Sequence, residues 1–195
     1  MTQLHVEEHA ATALPEAGWG PLAGLPGHPM MWVLIASELA VFGALIVAFG
    51  IAGALEPDLF AAGRARLDPL LGGINTLVLV TSGFLAAMAV AAADAGRGRT
   101  ARLHVAGAIL LGGLFVVVKL VEYQAKFAAG IGIETDSFFT LYFLVTGFHL
   151  LHVVLGMVIL AAITVTDADL RTGTTFWHMV DLVWVVLYPL VYLAG

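Results

Sequence analysis

The sequence predicts an all-α fold, an integral membrane bundle of five transmembrane helices, and three observations predict it. Of the 195 residues, 61% are apolar and only 11% charged, whereas soluble domains run at about 45–50% and about 25%. Five apolar stretches approach or exceed the roughly 20 residues with which a helix rising about 1.5 Å per residue crosses about 30 Å of hydrocarbon. These stretches are long and unbroken, unlike the alternating segments of about ten residues that build a membrane barrel. Cysteine is absent, which excludes a disulfide framework, an iron–sulfur cluster, a Cys-ligated zinc and a thiol nucleophile. A net charge of −6 with only eight Lys plus Arg argues against a nucleic-acid partner. No phosphate-cradling Gly-rich loop is present.

Residues 1–29 carry Glu7, Glu8 and Glu16, the prolines Pro15, Pro21, Pro26 and Pro29, and no basic residue. They lack the charged start of a signal peptide and read as an acidic tail before a single transmembrane domain over residues 30–195. The first span, residues 30–54, is interrupted only by Ser37 and Glu38, and the second, residues 69–93, has no charge. The third, residues 105–121, contains Lys119 and is expected to extend through Glu122 and Tyr123 to Phe127. The fourth, residues 137–164, contains His149 and His152; the fifth, residues 174–194, contains His178 and Asp181. Pro189 should bend that last helix near its end. The connections at residues 56–58, 64–68, 97–99, 130–136 and 167–173 are too short for a second domain. Arg97, Arg99, Arg102 and Arg171 gather on the side of the N-terminus, against Arg64, Arg66 and Lys126 on the other. The compact cluster at 97–102 predicts a cytoplasmic N-terminus by the excess of positive charge inside.

A charge at the bilayer centre costs about 2.5–3.5 kcal/mol even on the lenient insertion scale. Chemistry therefore has to sit with the polar residues that the spans fail to exclude: Glu38, Asn75, Lys119, Glu122, Gln124, His149, His152, His178 and Asp181. Residues three apart share a helix face, so His149 lies beside His152, His178 beside Asp181, and Lys119 beside Glu122, where the two charges can neutralise each other. With the N-terminus inside, Glu38, His178 and Asp181 fall at similar depths in the inner half, and Asn75 falls with Glu122 in the outer half. Two readings compete for the histidines: a metal site or axial haem ligands between helices, or imidazoles hydrogen-bonding across helix contacts, at about 0.6–2 kcal/mol each in lipid. Glu38 is either the proton-carrying or ion-binding carboxylate of a transporter or a static carboxyl bonded to a neighbour, with the static role placed first. Trp32, Trp177, Trp184, Tyr188 and Tyr192 suit interface anchoring and helix packing. Gly43, Gly72, Gly73, Gly83, Gly112, Gly113, Gly147 and Gly156 suit close backbone approach.

The runs Gly-Phe-His-Leu-Leu-His-Val-Val-Leu-Gly at 147–156 and Phe-Trp-His-Met-Val-Asp-Leu-Val-Trp at 176–184 resemble the two signature segments of subunit III of haem–copper oxidases. So do Ser37-Glu38 in the first span, Asn75-Thr76 opening the second and Glu122-Tyr123 closing the third. Order and spacing fit over residues 30–195. The resemblance is to the five-helix form, without the first two helices of the seven-helix form, which occurs in many bacteria and in proteins that accompany nitric oxide reductase. It implies a non-catalytic subunit of the bacterial inner membrane that binds no haem or metal itself. Such a subunit packs on subunit I, in a complex with subunit II, binds phospholipid and helps sustain proton uptake; haem and copper belong to the partner subunits. By the resemblance, Glu38 corresponds to the family's intramembrane glutamate and Asn75 to its second-span asparagine. Glu122, His149, His152, His178 and Asp181 correspond to its interhelical polar contacts, and none is catalytic. Two departures stand out. Arg171 holds the place nearest to a glutamate that commonly precedes the Trp-His of the last helix, and one wall of the family's lipid cleft is missing.

The leading functional expectation is thus the non-catalytic subunit III of a terminal oxidase that reduces oxygen and pumps protons in aerobic respiratory electron transport. The alternative is an accessory membrane protein of a nitric oxide reductase in denitrification. A haem-binding membrane anchor using His149 or His152 with His178 is a third reading. A proton-coupled transporter centred on Glu38 ranks last, because the sequence has neither an internal repeat nor a span broken by paired Gly/Pro.

Overall fold

The computed structural model describes residues 29–166 and 169–194. The expected tail therefore lies outside the described residues except for Pro29, which already opens the first helix. Helix α1 covers Pro29–Leu55, α2 Pro57–Arg64, α3 Pro69–Asp94, α4 Gly98–Ala128, α5 Ser137–Thr166 and α6 Leu170–Tyr188, and a π-helical turn, Pro189–Leu193, continues α6. Five of these helices are long and apolar enough to cross a membrane, so the chain is a multi-pass membrane protein with no strand among the described residues. The boundaries follow local chemistry. Pro69 opens α3, where its missing N–H costs nothing, and the Asp68 carboxylate accepts from the Leu71 N–H at 3.0 Å. Asp136 caps α5 through the Phe139 N–H at 2.8 Å. Asp169 caps α6 through the Arg171 N–H at 3.1 Å and the Thr172 hydroxyl at 2.9 Å. Gly96 and Gly130 adopt φ of 71° and 73° just beyond α3 and α4, a region open to glycine and costly for other residues.

Three elements differ from the sequence expectation, one of them α6, which begins at Leu170, about a turn before Thr174 and inside the expected connection. Helix α4 starts at Gly98, one turn or more before Val105, because the amphipathic stretch at 98–104 continues the helix beyond the apolar core. Residues 57–64, read as part of a connection, form the short helix α2: Pro57 opens it and Phe60 and Gly63 are buried under it. At Pro189 the structure places a π-helical turn. The Pro189 carbonyl accepts from the Ala194 N–H at 2.8 Å, which is the five-residue spacing of a π turn.

Helices α3, α4, α5 and α6 form a closed ring, each packed on the next, and α1 leans on α5 and α6 from outside. Trp177 sits at the centre, fully buried, where a Cβ on Gly112 of α4 or Gly156 of α5 would stand 2.8 Å and 2.7 Å from its ring. Two glycines thus let two backbones close around one indole. Trp177, Trp184 and Tyr192 are core residues, so for them the packing half of the aromatic expectation holds and the anchoring half is corrected. Gly43 is corrected too, since a methyl group there would meet nothing within 4 Å. Side chain to backbone bonds tie α3 to α4: Ser82 Oγ donates to the Ala108 carbonyl at 2.6 Å and Asn75 Nδ2 to the Phe115 carbonyl at 3.3 Å. On the side where α1 begins, Arg171 of α6 meets Asp94 of α3 at 2.6 Å, with both side chains about half exposed.

Candidate functional site: the polar groups inside the bundle

The most enclosed polar group is Lys119, 1% exposed in the middle of α4. A buried ammonium has three N–H donors to satisfy, and all three are satisfied. Lys119 Nζ donates to Glu122 Oε2 at 3.1 Å on its own helix, to the Tyr142 hydroxyl of α5 at 3.2 Å and to the Tyr192 hydroxyl of the π turn at 3.0 Å. Each hydroxyl then donates onward to Glu122 Oε1 at 2.8 Å. The aromatic rings of Tyr123, Tyr142, Trp184 and Tyr192 stand 4.9–5.6 Å from the ammonium, within the range of cation–π attraction. Charge, hydroxyls and π faces therefore close on one another and bind α4, α5 and the end of α6 together. Nearby, the Tyr123 hydroxyl meets Thr146 Oγ1 at 2.7 Å.

Glu38 finds its partner across a helix contact. Its Oε2 lies 3.0 Å from His152 Nε2, and His152 Nδ1 lies 2.8 Å from the Phe148 carbonyl. A carbonyl only accepts, so Nδ1 carries a proton. Nε2 then either carries a second proton facing a carboxylate or accepts from a neutral carboxyl. In both cases the contact holds a single proton between the two groups. The Glu38 side chain is 22% exposed and that of His152 7%, so the pair opens partly onto the surface between α1 and α5.

The other histidines stand apart. His149 is wholly buried, stacked on Trp184 at 4.9 Å between the rings of Phe42 and Phe115. Neither of its ring nitrogens has a hydrogen-bond partner among the described residues. His178 faces outward from α6 with a side chain 47% exposed, and its nearest acidic atom is Asp181 Oδ2 at 3.8 Å on the same helix. Asp181 is buried over the backbone of Gly83, where a Cβ would collide with its Oδ2, and its Oδ1 is unpaired. His149, His152 and His178 therefore do not converge. Among the described residues no three His, Asp or Glu side chains are placed to hold a metal ion.

Of the residues singled out in the sequence, Glu122 joins Lys119 and Glu38 joins His152. Asn75 is buried and bonds α4 through its amide nitrogen, with its Oδ1 unpaired. Tyr142 was missed, and Trp184 and Tyr192, read as anchoring and packing aromatics, were not placed among the polar groups. Tyr142 lies seven residues before His149, two turns along the same face, a signal that was available. Trp184 Nε1 donates to Thr76 Oγ1 at 2.9 Å, a contact with no local sequence signature.

The family model described as cytochrome c oxidase subunit III matches residues 27–195. The chain is 28% identical over 190 residues to cytochrome c oxidase subunit 3 of Synechocystis sp., covering 89% of this chain and 80% of that protein. It is 29% identical over 170 residues to a probable cytochrome c oxidase subunit 3 of Mycobacterium tuberculosis, covering 82% and 84%. It is also 28% identical over 180 residues to a haem–copper oxidase subunit I+III of Aeropyrum pernix, where the match takes in 84% of this chain but only 22% of the longer protein. With a match that runs through all five membrane-crossing helices and the polar residues they enclose, the chain belongs to the cytochrome c oxidase subunit III family.

Proposed function

We propose that this chain is the accessory, non-catalytic subunit III of a haem–copper terminal oxidase in a bacterial inner membrane, packed on subunit I in a complex with subunit II. In this reading it supports assembly, phospholipid binding and proton uptake by the catalytic subunit. The observation that carries the reading is how the signature polar residues are used. Glu122 is spent on Lys119 and two tyrosines, and His152 on Glu38 and a backbone carbonyl. Groups engaged in this way hold helices together and are not free to turn over a substrate. The Glu38–His152 contact, with its one shared proton and partial opening to the surface, supports a place for the pair in the proton environment of a neighbouring subunit. Haem and copper are assigned to the partners, and residues 30–195 act as a single transmembrane unit. The Aeropyrum relative, whose name joins subunits I and III, supports a subunit I partner.

Purification of the tagged chain from its own membranes in mild detergent tests the proposal. The expected result is stoichiometric recovery of a large haem-bearing subunit with oxygen-reducing activity. Recovery of the chain alone, or with a Soret band of its own, overturns the proposal. Recovery of a nitric oxide reductase catalytic subunit instead would move the chain to denitrification.

A further inference from the structure

On the outer surface α6 forms the floor of a groove, with α1 and α3 as its two walls; both pack on α6. One hollow of about 300 Å³ lies against α1, lined by Trp32, Ile35 and Leu39. A second of about 460 Å³ lies against α3, lined by Val80, Phe84 and Ala87. His178 and Leu182 line both hollows, so the two are halves of one furrow. The floor is not purely apolar. His178 is the most exposed of the ionisable side chains in the middle of the spans, at 47%, and beside it the Asp181 carboxyl is packed down on Gly83 of α3. Eight and eleven residues into α6, these groups lie about 12 Å and 16 Å along the helix, well inside the hydrocarbon. Acyl chains offer no hydrogen bond at that depth, and headgroups lie at the interface. An occupant that satisfies an imidazole there has to carry its own polar group into the membrane, as the side chain of a helix can.

We propose that this groove seats one transmembrane helix of the haem-bearing catalytic subunit. The helix is apolar along its length and places a hydroxyl, amide or carboxyl side chain opposite His178. The inference rests on the reading of the chain as subunit III and adds to it the face through which the partner is held. Asp181 backs this contact from below: Gly83 gives it room on α3, and its Oδ2 lies 3.8 Å from His178 Nδ1 one turn away on the same helix, so the imidazole is presented at a fixed height on the floor. The remaining large exposed residues of the groove, among them Leu182 at 60% and Phe84 at 63%, supply the apolar contact around it.

The test uses the full chain expressed with its native partners. Leu182 is replaced by the photocrosslinker benzoylphenylalanine, and Leu110, 74% exposed on α4 across the ring, is replaced as the control. After irradiation of intact membranes, the expected result is a covalent adduct between position 182 and the haem-bearing subunit, at least tenfold more abundant than from position 110. In parallel, Leu182→Trp should fill the furrow and reduce retention of that subunit in detergent at least tenfold while leaving the chain itself membrane-inserted. If the haem-bearing subunit copurifies but position 182 gives only lipid adducts or a dimer of this chain, the inference fails and the subunit III reading stands. It fails in the same way if position 110 matches position 182, or if Leu182→Trp retains the partner fully. If no haem-bearing subunit copurifies with the unmodified chain, both fail.

Discussion

Replacing Glu122 by leucine should be far more damaging than removing Glu122 and Lys119 together. In the native bundle Glu122 accepts from Lys119 and from the Tyr142 and Tyr192 hydroxyls, and Lys119 is 1% exposed. The single variant Glu122→Leu leaves a buried ammonium without its counter-charge, for which breaking a buried pair from one side costs about 3–5 kcal/mol. At about 1.4 kcal/mol per decade, a cost near the middle of that range lowers the folded-to-unfolded ratio roughly a thousandfold. The double variant Lys119→Met with Glu122→Leu removes both charges, keeps apolar volume and leaves the two tyrosines to bond each other. Such paired replacements are often neutral or stabilising by about 1–4 kcal/mol. A double-mutant cycle followed by reversible unfolding in mixed micelles should therefore give a favourable coupling of about 2 kcal/mol or more. The reasoning is refuted if Glu122→Leu costs less than about 1 kcal/mol, or if the double variant is as unstable as the sum of the two singles.

The same structure sets other expected outcomes. Gly156→Ala places a methyl group against the Trp177 ring and should destabilise by about 1–3 kcal/mol through overpacking, whereas Gly43→Ala meets open space and should be neutral or stabilising by about 0.5–1 kcal/mol; thermal unfolding of the two variants side by side checks the contrast. Glu38→Gln keeps a donor for His152 Nε2 and should preserve assembly, while Glu38→Leu leaves that nitrogen unpaired and should cost about 1–3 kcal/mol, read as the yield of intact complex. Asp94→Asn removes an ion pair that is about half exposed on both sides and should change stability by less than about 1 kcal/mol, with unfolding at low and high salt as the measure.

The five spans were legible because hydrocarbon imposes a length and a composition that few other structures share, and the helices differ from the expected spans mainly at ends with mixed polarity, such as 98–104 of α4. The adjacency of Lys119 and Glu122 was legible too, because it lies within one helix and follows from its period. The pairing of Glu38 with His152 was not, since it depends on how α1 lies against α5, and nothing local to either residue encodes that. His178 and Asp181 were expected as interhelical contacts; the structure turns His178 outward and sets Asp181 on a glycine of α3, an arrangement fixed by the rotation of α6. Helix α2 escaped notice because eight residues of mixed polarity carry little periodic signal, and its helicity rests on Pro57 and on the burial of Phe60.

The π turn at Pro189–Leu193 also acts as a phase adjuster. Each residue of an α-helix advances the side-chain direction by about 100°, so a run from Trp184 to Tyr192 without the widened turn would swing the phenol away from α4 and leave Lys119 with one fewer oxygen. Removing a single residue from that turn would thus rotate every later side chain as a block, and restoring the count elsewhere in α6 would not restore the aim.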